Sequence, residues 1–181
     1  MRLFVGLDLP DLLRERLTAL FGSLSGARWT PPENLHLTLR FIGEARRDVA
    51  EEIDDALAAI RGRAFPLTLT GTGVFDRAGR PASLWVGVER REPLEHLHNK
   101  IETALQRIGL PPERKRFQPH VTLARVDGIA EPALARWMQT HNLLRSESVA
   151  ITHFTLFSSL LGKERPYYTA EVDYELGPGQ G

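Results

Sequence analysis

The sequence predicts an α+β fold in two lobes, and three observations predict it. Four stretches carry apolar residues at helical spacing. They fall in the order strand, helix, strand, helix, two strands, helix, strand, helix, two strands. Two short strand-like stretches, one in each half of the chain, repeat a single pattern, His-apolar-Thr-Leu after a proline. No Gly-rich dinucleotide fingerprint or phosphate loop is present, and Gly71-Thr72-Gly73 reads as a kink in a strand.

Residues 2–8 read as a buried strand. A helix follows, capped by Asp11, with Leu13, Leu17, Leu20 and Leu24 on one stripe. Pro31-Pro32 resets the chain into the first His stretch, which Gly43 ends. Residues 46–61 form an amphipathic helix through Val49, Ile53, Leu57 and Ile60. Residues 65–75 and 83–89 read as strands around the polar turn at 76–81. A third helix spans 93–108, and a basic segment, Arg114-Lys115-Arg116, leads into the second His stretch. A fourth helix covers 132–141, and strands at 147–158 and 167–176 close the fold. Residues 1–176 read as one bilobal domain and 177–181 as a disordered tail.

With 23 basic and 23 acidic residues there is no global positive field to hold long duplex nucleic acid, so any nucleic-acid contact is expected to be short and local. The absence of cysteine excludes disulfides, thiolate metal sites and a cysteine nucleophile, and suits a reducing interior. No apolar run approaches the ~20 residues of a membrane-spanning helix, and Asp8 and Pro10 interrupt the apolar start, which is not a signal peptide. A cytoplasmic monomer, away from membranes, is expected.

The repeated pattern carries the chemistry. A strand alternates faces every residue, so His36 and Thr38 share one face and Leu37 and Leu39 the other; His120 and Thr122 oppose Val121 and Leu123 in the same way. Two imidazoles titrating near neutrality can divide acid and base duties. That suits phosphodiester chemistry, which needs little beyond alignment and charge stabilisation. The Thr38 and Thr122 hydroxyls can donate to non-bridging phosphate oxygens, and Arg40 and Arg125 add possible guanidinium partners. Two histidines are too few for a catalytic zinc, so no metal is expected. Strict alternation turns Arg125 away from His120. Either the strand bulges or ends there and Arg125 joins the site, or Arg125 is an ion-pair partner elsewhere. Phe41 shares the parity of Leu37 and is expected in the core.

His36-Leu37-Thr38-Leu39 and His120-Val121-Thr122-Leu123 resemble the two signature tetrapeptides of the 2H phosphoesterase superfamily. More narrowly, the chain resembles the RNA 2′,3′-cyclic phosphodiesterases, also called 2′-5′ RNA ligases. The likeness extends through Arg2-Leu3-Phe4-Val5-Gly6-Leu7, Leu39-Arg40-Phe41-Ile42-Gly43, Leu84-Trp85-Val86-Gly87-Val88 and Phe154-Thr155-Leu156-Phe157-Ser158-Ser159. The resemblance implies two pseudo-twofold-related lobes with mainly antiparallel sheets, helices outside and a shared cleft. It implies hydrolysis of an RNA-terminal 2′,3′-cyclic phosphate to a 2′-phosphate, without metal or other cofactor. His120 would then be the proton acceptor and His36 the proton donor, with Thr38, Thr122 and Arg125 on the phosphate. Phe117, Arg114 and Arg116, beside the second motif, are candidate RNA contacts. The alternatives are ligation of RNA halves through a 2′-5′ bond by the reverse transesterification, and a non-catalytic binder of RNA ends.

Overall fold

A computed structural model describes residues 1–179. Among them the elements run β1 (Arg2–Asp8), α1 (Asp11–Thr18), β2 (Arg28–Trp29), β3 (His36–Glu44), α2 (Arg47–Ala58), β4 (Phe65–Leu67), β5 (Leu69–Arg77), β6 (Arg80–Val88), α3 (Glu92–Arg107), β7 (His120–Arg125), α4 (Glu131–His141), β8 (Val149–Ile151), β9 (His153–Leu161) and β10 (Pro166–Glu175). The fold is α+β, and the ladders between the named strands are antiparallel. Within the described residues no helix is long and apolar enough to cross a membrane.

Eight strands form one sheet in the order β10-β9-β1-β3-β7-β6-β5, with β2 added to β7; β4 and β8 pair separately. The two His strands, β3 and β7, are central neighbours. They share one registered pair, Leu37 with Val121. β2 then takes over the edge of β7, pairing Trp29 with Ala124, and the Thr30 amide donates to the Leu123 carbonyl at 2.8 Å. The two halves of the chain interleave: the C-terminal β9 and β10 extend the β1–β3 side, β5 and β6 extend the β7 side, and the sides meet at the paired motifs.

Leu37, Leu39, Val121 and Leu123 point into a core that also takes Leu13 and Leu17 of α1, Ile53 and Leu57 of α2, Leu97, Ile101 and Leu105 of α3, and Leu134 and Trp137 of α4. All four helices therefore pack on the leucine face, leaving the histidine face open.

The differences from the expected elements have local causes. α1 stops at Thr18 because the chain tightens into turns, with the Leu20 amide on the Leu17 carbonyl and the Phe21 amide on that of Thr18. Leu20 and Leu24 stay buried without the helix. The strand expected over 65–75 divides at Thr68, and the one over 147–158 divides at Thr152. Their first segments leave the main sheet to pair with each other. Gly177, placed in the tail expected to be disordered, is bonded on both sides: its amide donates to the Gly62 carbonyl and its carbonyl accepts from the Ala64 amide, each at 2.8 Å. Gln180 and Gly181 lie outside the described residues.

Arg40, a possible phosphate partner by sequence, is instead a structural ion. Its side chain is 6% exposed and pairs with Glu102 of α3. It also donates to the backbone carbonyls of Phe41 and Pro111. Glu102 in turn accepts from Gln106 Nε2 at 3.1 Å. One guanidinium thus ties the first His strand to α3 and to the loop that runs into the second His strand. Glu102→Ala leaves that charge buried without its carboxylate, and we expect a loss of about 3–5 kcal/mol in unfolding free energy. Urea denaturation measures it; a loss under about 1 kcal/mol would mean that solvent screens the pair.

Candidate active site

Pairing Leu37 with Val121 in an antiparallel register sets His36 across from Thr122 and Thr38 across from His120. The four side chains share one face as a two-by-two block, the histidines on one diagonal and the threonines on the other. Diagonal neighbours in such a pair lie about 7–8 Å apart at the backbone.

Each imidazole is held by the same device. His36 Nδ1 lies 2.6 Å from the Asn34 carbonyl, and His120 Nδ1 lies 2.6 Å from the Gln118 carbonyl. A carbonyl only accepts, so Nδ1 carries the proton in both rings and Nε2 is left as the acceptor nitrogen. Sequence reasoning missed both carbonyls, because a backbone acceptor has no residue signature. Asn34 is itself buried in a 3₁₀ turn, its side chain donating to the Pro166 carbonyl at 2.9 Å.

The surroundings of the two rings differ. His36 packs among Phe4, Phe157 and Tyr168 at centroid distances of 4.9, 6.0 and 5.1 Å, and its Nε2 receives the Thr38 hydroxyl at 2.9 Å. His120 meets Phe75 at 4.8 Å and Trp85 at 6.2 Å. No hydrogen-bond partner of its Nε2 is present among the described residues. Burial pushes the His36 pKa below the ordinary 6.5; the Asn34 carbonyl opposes this, the nearby His120 adds to it, and Asp8 opposes it. Burial also lowers His120, against the Gln118 carbonyl. Both rings are therefore biased to the neutral form in the free protein.

Arg125 lies on the histidine face, and a bulge puts it there. The β6–β7 ladder slips between Leu84, partner of Ala124, and Trp85, partner of Thr122, which leaves Leu123 as the extra residue. Leu123 and Ala124 are both buried, and Arg125 pairs with Ser83 on the side of Thr122. β3 does the same. Its ladder with β1 slips between Arg40 and Thr38, so Leu39 and Arg40 are both buried. Phe41, expected in the core, comes round to the histidine side, 62% exposed and 6.0 Å from Phe4. Residues at the same offset from the two histidines, Phe41 and Arg125, thus reach the same face.

Phe117 lies apart from this block, half-buried with one ring face stacked on His98 at 3.9 Å and 2°. Arg114 and Arg116 are exposed in the loop that runs into β7. Among the described residues no cluster of three or more His, Asp or Glu side chains is placed to hold a metal ion.

Comparison with known proteins agrees with this geometry. A family model described as the 2′-5′ RNA ligase superfamily matches residues 10–163. An RNA 2′,3′-cyclic phosphodiesterase of Aeropyrum pernix is 40% identical over 138 residues, covering 75% of this chain and 78% of that protein. One from Escherichia coli is 33% identical and covers 93% and 92%. Among solved structures, a Thermus thermophilus protein superposes with a TM-score of 0.82 at 25% identity over 99% of this chain and all of that one. E. coli LigT, crystallised with 3′-AMP, does so with a TM-score of 0.78 at 28% identity over 97% and 98%. A signature spanning both histidine strands, on this sheet and with these relatives, places the chain in the 2′-5′ RNA ligase superfamily.

Proposed function

We propose that the protein is an RNA 2′,3′-cyclic phosphodiesterase that opens the cyclic phosphate at an RNA 3′ end to a 2′-phosphate. One observation carries the reading. Two imidazoles stand on a diagonal of one strand pair, each with Nδ1 tied to a carbonyl, so that Nε2 is the nitrogen left for proton transfer in both. The relatives that are named for this reaction support it.

In the proposed cycle His120 Nε2 takes a proton from water as the water oxygen attacks phosphorus. The P–O3′ bond breaks, and His36, protonated at Nε2, gives its proton to O3′. Two contrasts support this division. His120 lines an open pocket, which admits a nucleophile, whereas His36 is enclosed by three aromatic rings. The Thr38 and Thr122 hydroxyls, on the other diagonal, donate to the non-bridging oxygens, and Arg125 adds a guanidinium from the same face. Arg114 and Arg116 meet the backbone of the incoming strand. Both histidines and both threonines come from one chain, which supports a monomer as the working unit. No step calls on a metal, and turnover in the presence of a chelator is expected. A neutral, cysteine-free chain supports a cytoplasmic setting.

His36→Ala and His120→Ala should each lower kcat/KM for a 2′,3′-cyclic nucleotide by about 10²–10⁴-fold. Wild-type rates in either variant would refute the two-histidine mechanism. Arg125→Ala should lower kcat/KM by roughly tenfold or more, and Arg125→Lys should recover part of it, since lysine keeps the charge and loses the fork.

The pH profile follows from the shifts. Catalysis needs one ring protonated and one neutral, a state populated between the two apparent pKa values of the pair. Burial lowers both from 6.5, so kcat/KM should be bell-shaped with its maximum on the acid side of 6.5, falling as pH rises and the donor loses its proton. Steady-state rates across pH 4.5–9 at constant ionic strength test this, and a maximum near pH 8 would contradict it.

A further inference from the structure

The two carbonyls that hold the histidine rings are themselves held in different ways. The Asn34 carbonyl belongs to the 3₁₀ turn ahead of β3, and the Asn34 side chain is buried and donates to the Pro166 carbonyl. The Gln118 carbonyl has no such support. Residues 110–119 form neither helix nor strand, and the Gln118 side chain is exposed. Its bond to His120 Nδ1 is nevertheless as short as the other, 2.6 Å in each. A group on an irregular segment keeps such a geometry only where packing locks its neighbours.

Two neighbours of Gln118 are locked. Pro119 is buried, and a following proline confines Gln118 to extended backbone. Phe117 lays its ring on the imidazole of His98, with centroids 3.9 Å apart and planes at 2°. His98 stands on α3, a helix of 16 residues anchored in the core by Leu94, Leu97, Ile101 and Leu105. The upstream end of the segment is tied to the same helix. The Leu110 amide donates to the Leu105 carbonyl at 3.1 Å, and the Pro111 carbonyl accepts from Arg40, which pairs with Glu102. The exposed cations Arg114, Lys115 and Arg116 are strung between these attachments. Of the two, the stack is the one next to Gln118, and it needs a flat ring at position 98.

We propose that His98 is a positioning residue for His120, acting through the Phe117 ring and the Gln118 carbonyl. The proposal rests on the reading of His120 as the base. A base has to offer an unprotonated Nε2, and a neutral imidazole does so only while Nδ1 keeps the proton. Without the stack the segment relaxes and the Gln118 carbonyl turns from Nδ1. The neutral ring is then free to carry its proton on Nε2, which blocks the nitrogen that has to accept one. His36 is insulated from this change, because Asn34 is fixed by its own turn and by Pro166.

The test uses the full chain with its histidines labelled for nitrogen NMR, read beside steady-state hydrolysis of a 2′,3′-cyclic nucleotide. In the unaltered chain at alkaline pH both active-site rings should show the Nδ1–H form. His98→Ala should move His120 toward the Nε2–H form and leave His36 unchanged. It should lower kcat about tenfold or more while KM changes less than about twofold. His98→Phe keeps a flat ring against Phe117, and should restore the His120 spectrum and bring kcat to within about threefold of the unaltered chain. Phe117→Leu removes the stack from its other side and should match His98→Ala, which keeps the proposal testable where one of these variants fails to fold. A lower melting temperature in His98→Ala, with the His120 ring and kcat unchanged, would make the stack purely structural and overturn the proposal. A rise in KM at constant kcat in Phe117→Leu would make Phe117 a substrate contact, and overturns it as well. Absence of hydrolysis in the unaltered chain would instead refute the phosphodiesterase reading, and the His120 spectrum would still decide whether His98 positions the ring.

Discussion

One extra residue in each of two central strands sets what the histidine face carries. Leu39 follows Thr38 and Leu123 follows Thr122, and at each the ladder with the outer neighbour slips by one. A regular strand would have kept Arg40 and Ala124 on the histidine face and buried Phe41 and Arg125. The bulge reverses that. It buries Ala124 against the core and carries Arg40 inward, where its charge requires Glu102 and two carbonyls. It also brings a guanidinium and a phenyl ring to the side of the imidazoles. The ion pair at Arg40 is thus coupled to the site through strand geometry, since the slip that buries one residue exposes the next.

The open face and the buried face make different demands on the same two strands. Leucine and valine at alternate positions anchor each strand in a core shared by all four helices, which fixes the backbone under the imidazoles. The Nδ1–carbonyl bonds then fix the rings on that backbone. Little freedom remains to be lost when a phosphate arrives, which is where positioning contributes to rate. Electrostatics supplies the other half. Two half-buried imidazoles close together disfavour double protonation, and a bound phosphodiester anion favours charge on the pair. Ligand binding and the protonation needed for turnover therefore reinforce each other.

Much of this was legible in the sequence because it depends on periodicity. The α+β class, four helices, the pairing of His with Thr on one face and the leucines behind them follow from periods of 3.6 and 2. The features that were not legible are those that break a period or use the backbone. Nothing in Leu-Arg-Phe or Leu-Ala-Arg announces a bulge, so periodicity alone puts Phe41 and Arg40 on the wrong faces and leaves both outcomes open for Arg125. The Asn34 and Gln118 carbonyls would serve equally well with other side chains. Tyr168 is more than a hundred residues from His36 in sequence, and only the pairing of β10 with β9, and β9 with β1, brings it to the ring. The divided strands at Thr68 and Thr152 were hidden because each reads as one uninterrupted β-prone run.

The two motifs are equivalent in sequence and in backbone, yet their occupants differ. At the position five residues after the histidine, one strand presents phenylalanine and the other arginine. Around the ring, one side closes with Phe4, Phe157 and Tyr168, while the other opens beside Phe75 and Trp85. A shared tetrapeptide therefore cannot assign acid and base, because it supplies the same ring, tautomer and hydroxyl twice. The assignment has to come from the neighbours. An enclosed imidazole suits a proton handed to an oxygen that stays attached to the substrate's ribose. An imidazole beside a pocket suits a proton taken from a nucleophile that must enter. In the proposed assignment it is the asymmetry of the walls, more than the symmetry of the motifs, that distinguishes acid from base.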